Sequence, residues 1–141
     1  MDSFREGDAV FMRFLDGEDL VEGIKQALKD HQVTAGIVLG GVGMLSKPGL
    51  VYYKGNGVYA PIALDEDEFE LVALNGNVAT IDGEVFVHLH ATVGKADGQA
   101  LAGHLAGAKV HMTAEIAVKA LEKTMIRVLD PKTGLKTLRF G

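Results

Sequence analysis

The sequence predicts an α/β domain of the α+β kind: a mainly antiparallel β-sheet covered by one principal helix, as a single compact unit over residues 1–141. Three observations carry that expectation. Only one segment, Leu20 to His31, repeats its apolar residues at helical spacing. Most of the remainder reads as alternating or continuous apolar runs of strand length. Turn signals such as Ile81-Asp82-Gly83 and Asp130-Pro131-Lys132-Thr133-Gly134 separate those runs.

From the N-terminus, Ala9 to Phe14 is the first strand candidate. Asp16-Gly17-Glu18-Asp19 is an acidic helix start, with Asp16 placed to cap. Leu20, Ile24, Ala27 and Leu28 then form an apolar stripe, widened by Val21, and His31 stands at the helix end, where a positive charge is favourable. Val33 to Gly40 is nearly all apolar, as in a strand buried on both faces. Gly40-Gly41-Val42-Gly43 follows. A phosphate-cradling loop needs a helix next and a different glycine spacing, so tight-turn geometry is expected here, then bend and strand through Tyr53.

Val58 to Ala63 is a further strand candidate. Asp65-Glu66-Asp67-Glu68 lacks the spaced oxygen ligands and glycine of a calcium loop and reads as a solvated loop. Phe69 to Thr80 and Glu84 to Val93 flank the Asp82-Gly83 hairpin signal. After the polar turn Gly94 to Gly98 comes Gln99 to Gly107. Val110 to Ala120 is a strand with Val110, Met112, Ala114, Ile116 and Val118 on one face, and Met125 to Leu129 and Leu135 to Phe140 are the last strands.

Composition narrows the chemistry. A chain of 141 residues with 48% hydrophobic content supplies one ordinary domain with its own core. No cysteine is present, which excludes disulfides, thiolate-bound zinc and iron–sulfur clusters. The net charge is −5 and the 14 Lys/Arg residues are thinly spread, which argues against direct DNA binding. Ser3 and Ser46 are the only serines and neither sits in a nucleophile elbow, leaving metal-activated water or His/Glu acid–base work as routes for an enzyme. Met1 to Glu6 lacks the pattern of a signal peptide and no apolar run is long enough to span a membrane, so a cytoplasmic location is expected.

Val87-His88-Leu89-His90-Ala91 is the most informative stretch. On a strand, Phe86, His88, His90 and Thr92 share one face, so two imidazoles lie one pleat apart. His104, between Gly103 and Leu105, is the nearest candidate for a third ligand, and three histidines suit zinc or another divalent transition metal. His111 and Glu115 share a face further on, with Glu115 a candidate fourth ligand or tautomer-fixing acceptor. The pattern equally describes ordinary hydrogen-bonded histidines beside a sheet, and spacing alone leaves both readings open.

Phe69 to Val78, His88-Leu89-His90, Gly103-His104-Leu105 and Ala114-Glu115-Ile116, in that order, resemble the plant-and-prokaryote-conserved (PPC) domain. The resemblance covers residues 8 to 138, and Arg127 with the Asp130 to Leu138 segment looks like the stand-alone prokaryotic version. It implies a homotrimer. Plant members join the domain to AT-hook segments that grip DNA, but the Arg-Gly-Arg-Pro core is absent from this chain. In plants the domain serves assembly and partner contacts. Prokaryotic members with both histidine pieces resemble metal holders, which maps onto His88, His90 and His104, with zinc the favoured occupant. Two functions follow as expectations: an assembly or regulatory module, DNA-associated through partners and with a protein or small-molecule ligand, or a small metal enzyme using Glu115 or Glu70 as general base.

Overall fold

The computed structural model describes residues 1–141. Strands β1 (Asp2–Glu6) and β2 (Ala9–Leu15) form a hairpin, followed by helix α1 (Leu20–Asp30). Then come β3 (Gly36–Gly55), β4 (Val58–Pro61), β5 (Glu68–Ile81), β6 (Glu84–Gly94), β7 (Ala100–Ala120), β8 (Met125–Leu129) and β9 (Lys136–Phe140). All pairings are antiparallel except a single parallel bridge from β5 to β8, Thr80 to Ile126. The expected mainly antiparallel sheet under one helix is the observed fold.

The sheet closes on itself. β7 pairs with β3, β3 with β5, β5 with β6, and β6 returns to β7. Closure protects edges that would otherwise offer unpaired backbone. β3 and β7 are long enough, at 20 and 21 residues, to serve both this ring and the flat side that carries β2. One cluster of 25 buried apolar residues fills the interior, with Leu20, Ile24, Ala27 and Leu28 of α1 packed into it. That core contains no buried polar side chain, so the histidines stand outside it.

Three local expectations are corrected. The helix cap is Asp19, not Asp16: the Asp19 carboxylate accepts the Glu22 N–H at 3.0 Å. Asp16 instead accepts the Met112 N–H at 2.8 Å, and this holds a bulge in β7 where Met112 has φ +61°. The bulge turns Met112 outward, 64% exposed, while Val110, Ala114, Ile116 and Val118 keep the core face. The strand expected over Val110 to Ala120 begins earlier, at Ala100.

Gly40 to Gly43 is not a tight turn. β3 runs through it, with register shifts against β7 between Val38 and Gly40 and between Gly43 and Met44. The glycines are needed because strands press together: a Cβ on Gly43 would lie 2.3 Å from the Thr113 carbonyl oxygen. The Asp82-Gly83 hairpin is as expected, with both residues at positive φ (51° and 86°) in a two-residue loop. No helix is long and apolar enough to cross a membrane.

Candidate metal centre

Strand register builds the site. His88 and His90 point from the same face of β6, because residues two apart share a face while Val87, Leu89 and Ala91 enter the core. His104 is placed by cross-strand pairing: it lies directly opposite His90 in the β6–β7 ladder. Directly opposed residues hold their Cβ atoms about 4.5–5.5 Å apart, so their side chains meet. One nitrogen from each of His88, His90 and His104 lies within 4.8 Å of the others. The ring centroids are 5.1 Å (88–90), 5.1 Å (88–104) and 5.5 Å (90–104) apart. Gly103 lets β7 pack closely on β3 beside His104, since a Cβ there would meet Ile62 Cδ1 at 2.7 Å and the Val51 carbonyl oxygen at 3.0 Å.

The β6–β7 ladder ends at the His90–His104 pair, and beyond it β7 continues against β3 and then also β2. The strands diverge there, and the gap is a cavity of about 560 Å³ lined by His88, His104, Phe86, Tyr59, Arg127 and Ala106 among others. A second lobe on the other side of the histidines adds His90, Tyr52 and Tyr53. Tyr59 of β4 tilts over His104 with ring centroids 5.5 Å apart.

Arg127 of β8 is the residue that spacing did not find. Its Nη2 donates to Asn77 Oδ1 at 3.0 Å and to His88 Nδ1 at 2.9 Å, and Nη1 donates to the Lys136 carbonyl at 2.9 Å. Its guanidinium lies 5.4 Å from the centre of the Phe86 ring, within cation–π range. Asn77 faces His88 across the β5–β6 ladder, so its presence follows from register. Arg127 arrives through the lone parallel bridge of β8, and no local pattern marks it.

Burial pushes His88 down to about 4, with the charge of Arg127 and then the neighbouring His104 and His90 adding to the effect. Burial also lowers His104, followed by His90 and Arg127. Both rings are therefore neutral near pH 7 and keep a lone pair for a cation. Arg127 is itself held below the usual arginine value by burial.

The donor set fits a divalent transition metal. Three imidazoles converge, and His104 Nδ1 is enclosed without a hydrogen-bond partner, an orphan that a cation would satisfy. One contact must change on binding. Arg127 donates to His88 Nδ1, which puts the neutral ring's proton on Nε2; a cation on either nitrogen disturbs that arrangement.

The competing candidates lie elsewhere. Glu115 pairs with Val42 and Arg13, eleven residues along β7 from His104, so it is neither fourth ligand nor tautomer anchor. Glu70 sits opposite Gly94 and Met44, away from the triad. His111 stands between Asp16 and Glu68, each 3.4 Å away. His31 caps α1 and contacts Ser3 Oγ at 3.0 Å. The acidic loop is tied down by Lys95, which meets Asp65 at 2.8 Å.

Fold and triad together define a class: a small ring-closed β domain with one covering helix and three imidazoles at the mouth of the ring. Residues 1–122 match the Plants and Prokaryotes Conserved (PCC) domain, and the chain belongs to that family. A Pyrococcus horikoshii plant- and prokaryote-conserved (PPC) protein is 28% identical, covering 96% of this chain and 93% of its own, with a TM-score of 0.81. A metal-containing protein of Archaeoglobus fulgidus is also 28% identical, covers 96% of both chains, and has a TM-score of 0.84. A Bacteroides thetaiotaomicron chain provisionally called a DNA-binding protein is 25% identical over 99% of this chain and 96% of its own, with a TM-score of 0.89. Among curated proteins, the bifunctional protein GlmU of two Synechococcus strains is 35% identical over 131 residues, 92% of this chain. The chain spans only 20% of the length of those relatives.

Proposed function

We propose that the chain is a metal-binding PPC-domain homotrimer with an assembly or regulatory role, holding zinc on His88, His90 and His104. The observation that carries this reading is the convergence of three imidazoles around one point, with His104 Nδ1 enclosed and unpartnered. The metal-containing Archaeoglobus relative supports it. The trimer is supported by apolar residues on the side of the sheet turned away from the core: Phe11, Leu15, Ile37, Leu39, Val42 and Val72 are 45–55% exposed. Any association with DNA runs through partners, since the chain carries net charge −5 and does not cluster its cations.

Elemental analysis of the purified protein, beside a His88→Ala/His90→Ala/His104→Ala variant, tests the site. The expected result is one zinc per chain in the parent and none in the variant; a parent that stays empty after incubation with Zn²⁺ overturns it. Light scattering tests the assembly, with three times the 15.0 kDa chain mass expected and a monomer refuting it.

A second reading, a small metal enzyme, is favoured by the cavity that adjoins the triad. Three protein ligands leave a tetrahedral position open, where bound zinc would supply an acidified water. Neither Glu70 nor Glu115 reaches that position to act as base. Hydrolysis of a simple ester that disappears in His90→Ala would favour this reading over the first.

A further inference from the structure

The cavity beside the triad combines two cationic side chains with a complete lack of acidic ones. Arg127 and Lys136 line it, and no aspartate or glutamate lines either lobe. This is notable in a chain with 19 acidic residues against 14 basic ones. Neither cation forms an ion pair: every salt bridge of the molecule involves other groups.

Arg127 is the more telling of the two. A half-buried charge normally faces a counter-charge, because desolvation is costly without one. Here the acceptors are all neutral: the Asn77 amide oxygen, the His88 ring nitrogen and the Lys136 carbonyl. A guanidinium has five N–H groups, so these three bonds leave the enclosed Nε–H and one Nη1–H without a protein acceptor. Apart from Thr137 and the histidines, the rest of the wall is apolar or aromatic, with Val51, Ile81, Phe86, Ala106 and Leu135. At about 560 Å³ the space is that of a small-molecule pocket.

We infer that this cavity binds a small organic carboxylate, whose anionic end pairs with Arg127 and whose apolar body lies against Phe86, Ile81 and Leu135. The ligand supplies the negative charge that the protein omits. Lys136, at the rim, adds attraction without fixing orientation, whereas Arg127 is held by three bonds and sets it. The inference goes beyond the metal reading and does not depend on it, since none of these contacts requires a cation on the histidines.

The test uses metal-free full-length protein at low ionic strength, with benzoate, its neutral analogue benzamide, and inorganic phosphate as probes. Benzoate is expected to bind at least tenfold more tightly than benzamide by calorimetry, and Arg127→Gln is expected to weaken benzoate at least tenfold. Equal binding of benzoate and benzamide, an unchanged Arg127→Gln, or no benzoate binding up to about 10 mM would each overturn the inference. Binding of phosphate but not benzoate would overturn the carboxylate class. If Arg127→Gln fails to fold, the wild-type Arg127 Nε–H resonance gives the same answer. It must shift with benzoate and not with benzamide, and a resonance that ignores both refutes the site. Metal content is read on separate samples, so zinc uptake without a benzoate response sinks this inference alone. Benzoate binding without zinc uptake sinks only the metal reading.

Discussion

Gly76→Ala is the sharpest perturbation available, because it acts on the histidine platform without touching a histidine. Gly76 lies in β5 opposite Leu89 of β6. A methyl group there would sit 2.0 Å from the His88 carbonyl oxygen, 3.0 Å from its carbonyl carbon and 3.1 Å from Leu89 Cδ2. The nearest obstacle is backbone, so no side-chain rotation relieves it. Reaching ordinary contact at 3.4 Å requires the two strands to part by about 1.4 Å at this point. A metal site tolerates ligand displacements of only about 0.2 Å, so a shift of this size beneath His88 and His90 should disrupt it. Overpacking of this kind costs about 1–3 kcal/mol.

The expected variant is folded but less stable in urea, with metal affinity reduced tenfold or more. Gly41→Ala is the control: its closest obstacle is Ile116 Cδ1 at 2.5 Å, the far end of a flexible side chain, and it lies away from the triad. Gly41→Ala should therefore cost less and keep its metal. A Gly76→Ala protein with the parent urea midpoint and full metal content would refute the reasoning that strand separation sets the site.

Three further outcomes are expected. Metal-free protein should lose stability as pH falls from 6.5 towards 4, because there the unfolded chain binds a proton that folded His88 refuses. With solvent screening of this half-exposed ring, the shift is worth about 1–2 kcal/mol. Urea titrations across that window should show the slope, and a His88→Asn variant with the same slope would assign it elsewhere. Arg127→Gln should bind Zn²⁺ about tenfold more tightly by competition with a chromophoric chelator, since a like charge leaves the site; unchanged or weaker binding would contradict this. Asp19→Ala should lower stability by about 1 kcal/mol in urea through loss of the helix cap, and no change would return the capping role to another group.

The sequence by itself determined most of the elements and the His88–His90 pair, though not β1 or the first part of β7. Helical spacing marked α1 because Leu20, Ile24, Ala27 and Leu28 must face one side, and all four are buried. The Asp82-Gly83 signal worked because a two-residue hairpin loop needs positive φ at both positions. His88 and His90 were legible as neighbours because a two-residue period is a local property of any strand. Local pattern failed where the neighbouring strand decided. Gly40 to Gly43 looks like a turn in isolation, yet it is strand because Thr113, Ala114, Ile116 and Leu74 press on it from adjacent strands. Asp16 and Asp19 are chemically equal as caps, and only the Met112 bulge claims Asp16.

The third histidine lies between these cases. Its proximity was suspected from the chain and from family likeness, but register alone sets His104 against His90. Arg127 and Tyr59 were decided by tertiary structure, for they come from β8 and β4, which meet His88 and His104 only in the assembled sheet, whereas Asn77 follows from the register of the β5–β6 hairpin. Side-chain direction is written in the period of a strand. Which strands become neighbours is written in the closure of the sheet, and that depends on the whole chain at once.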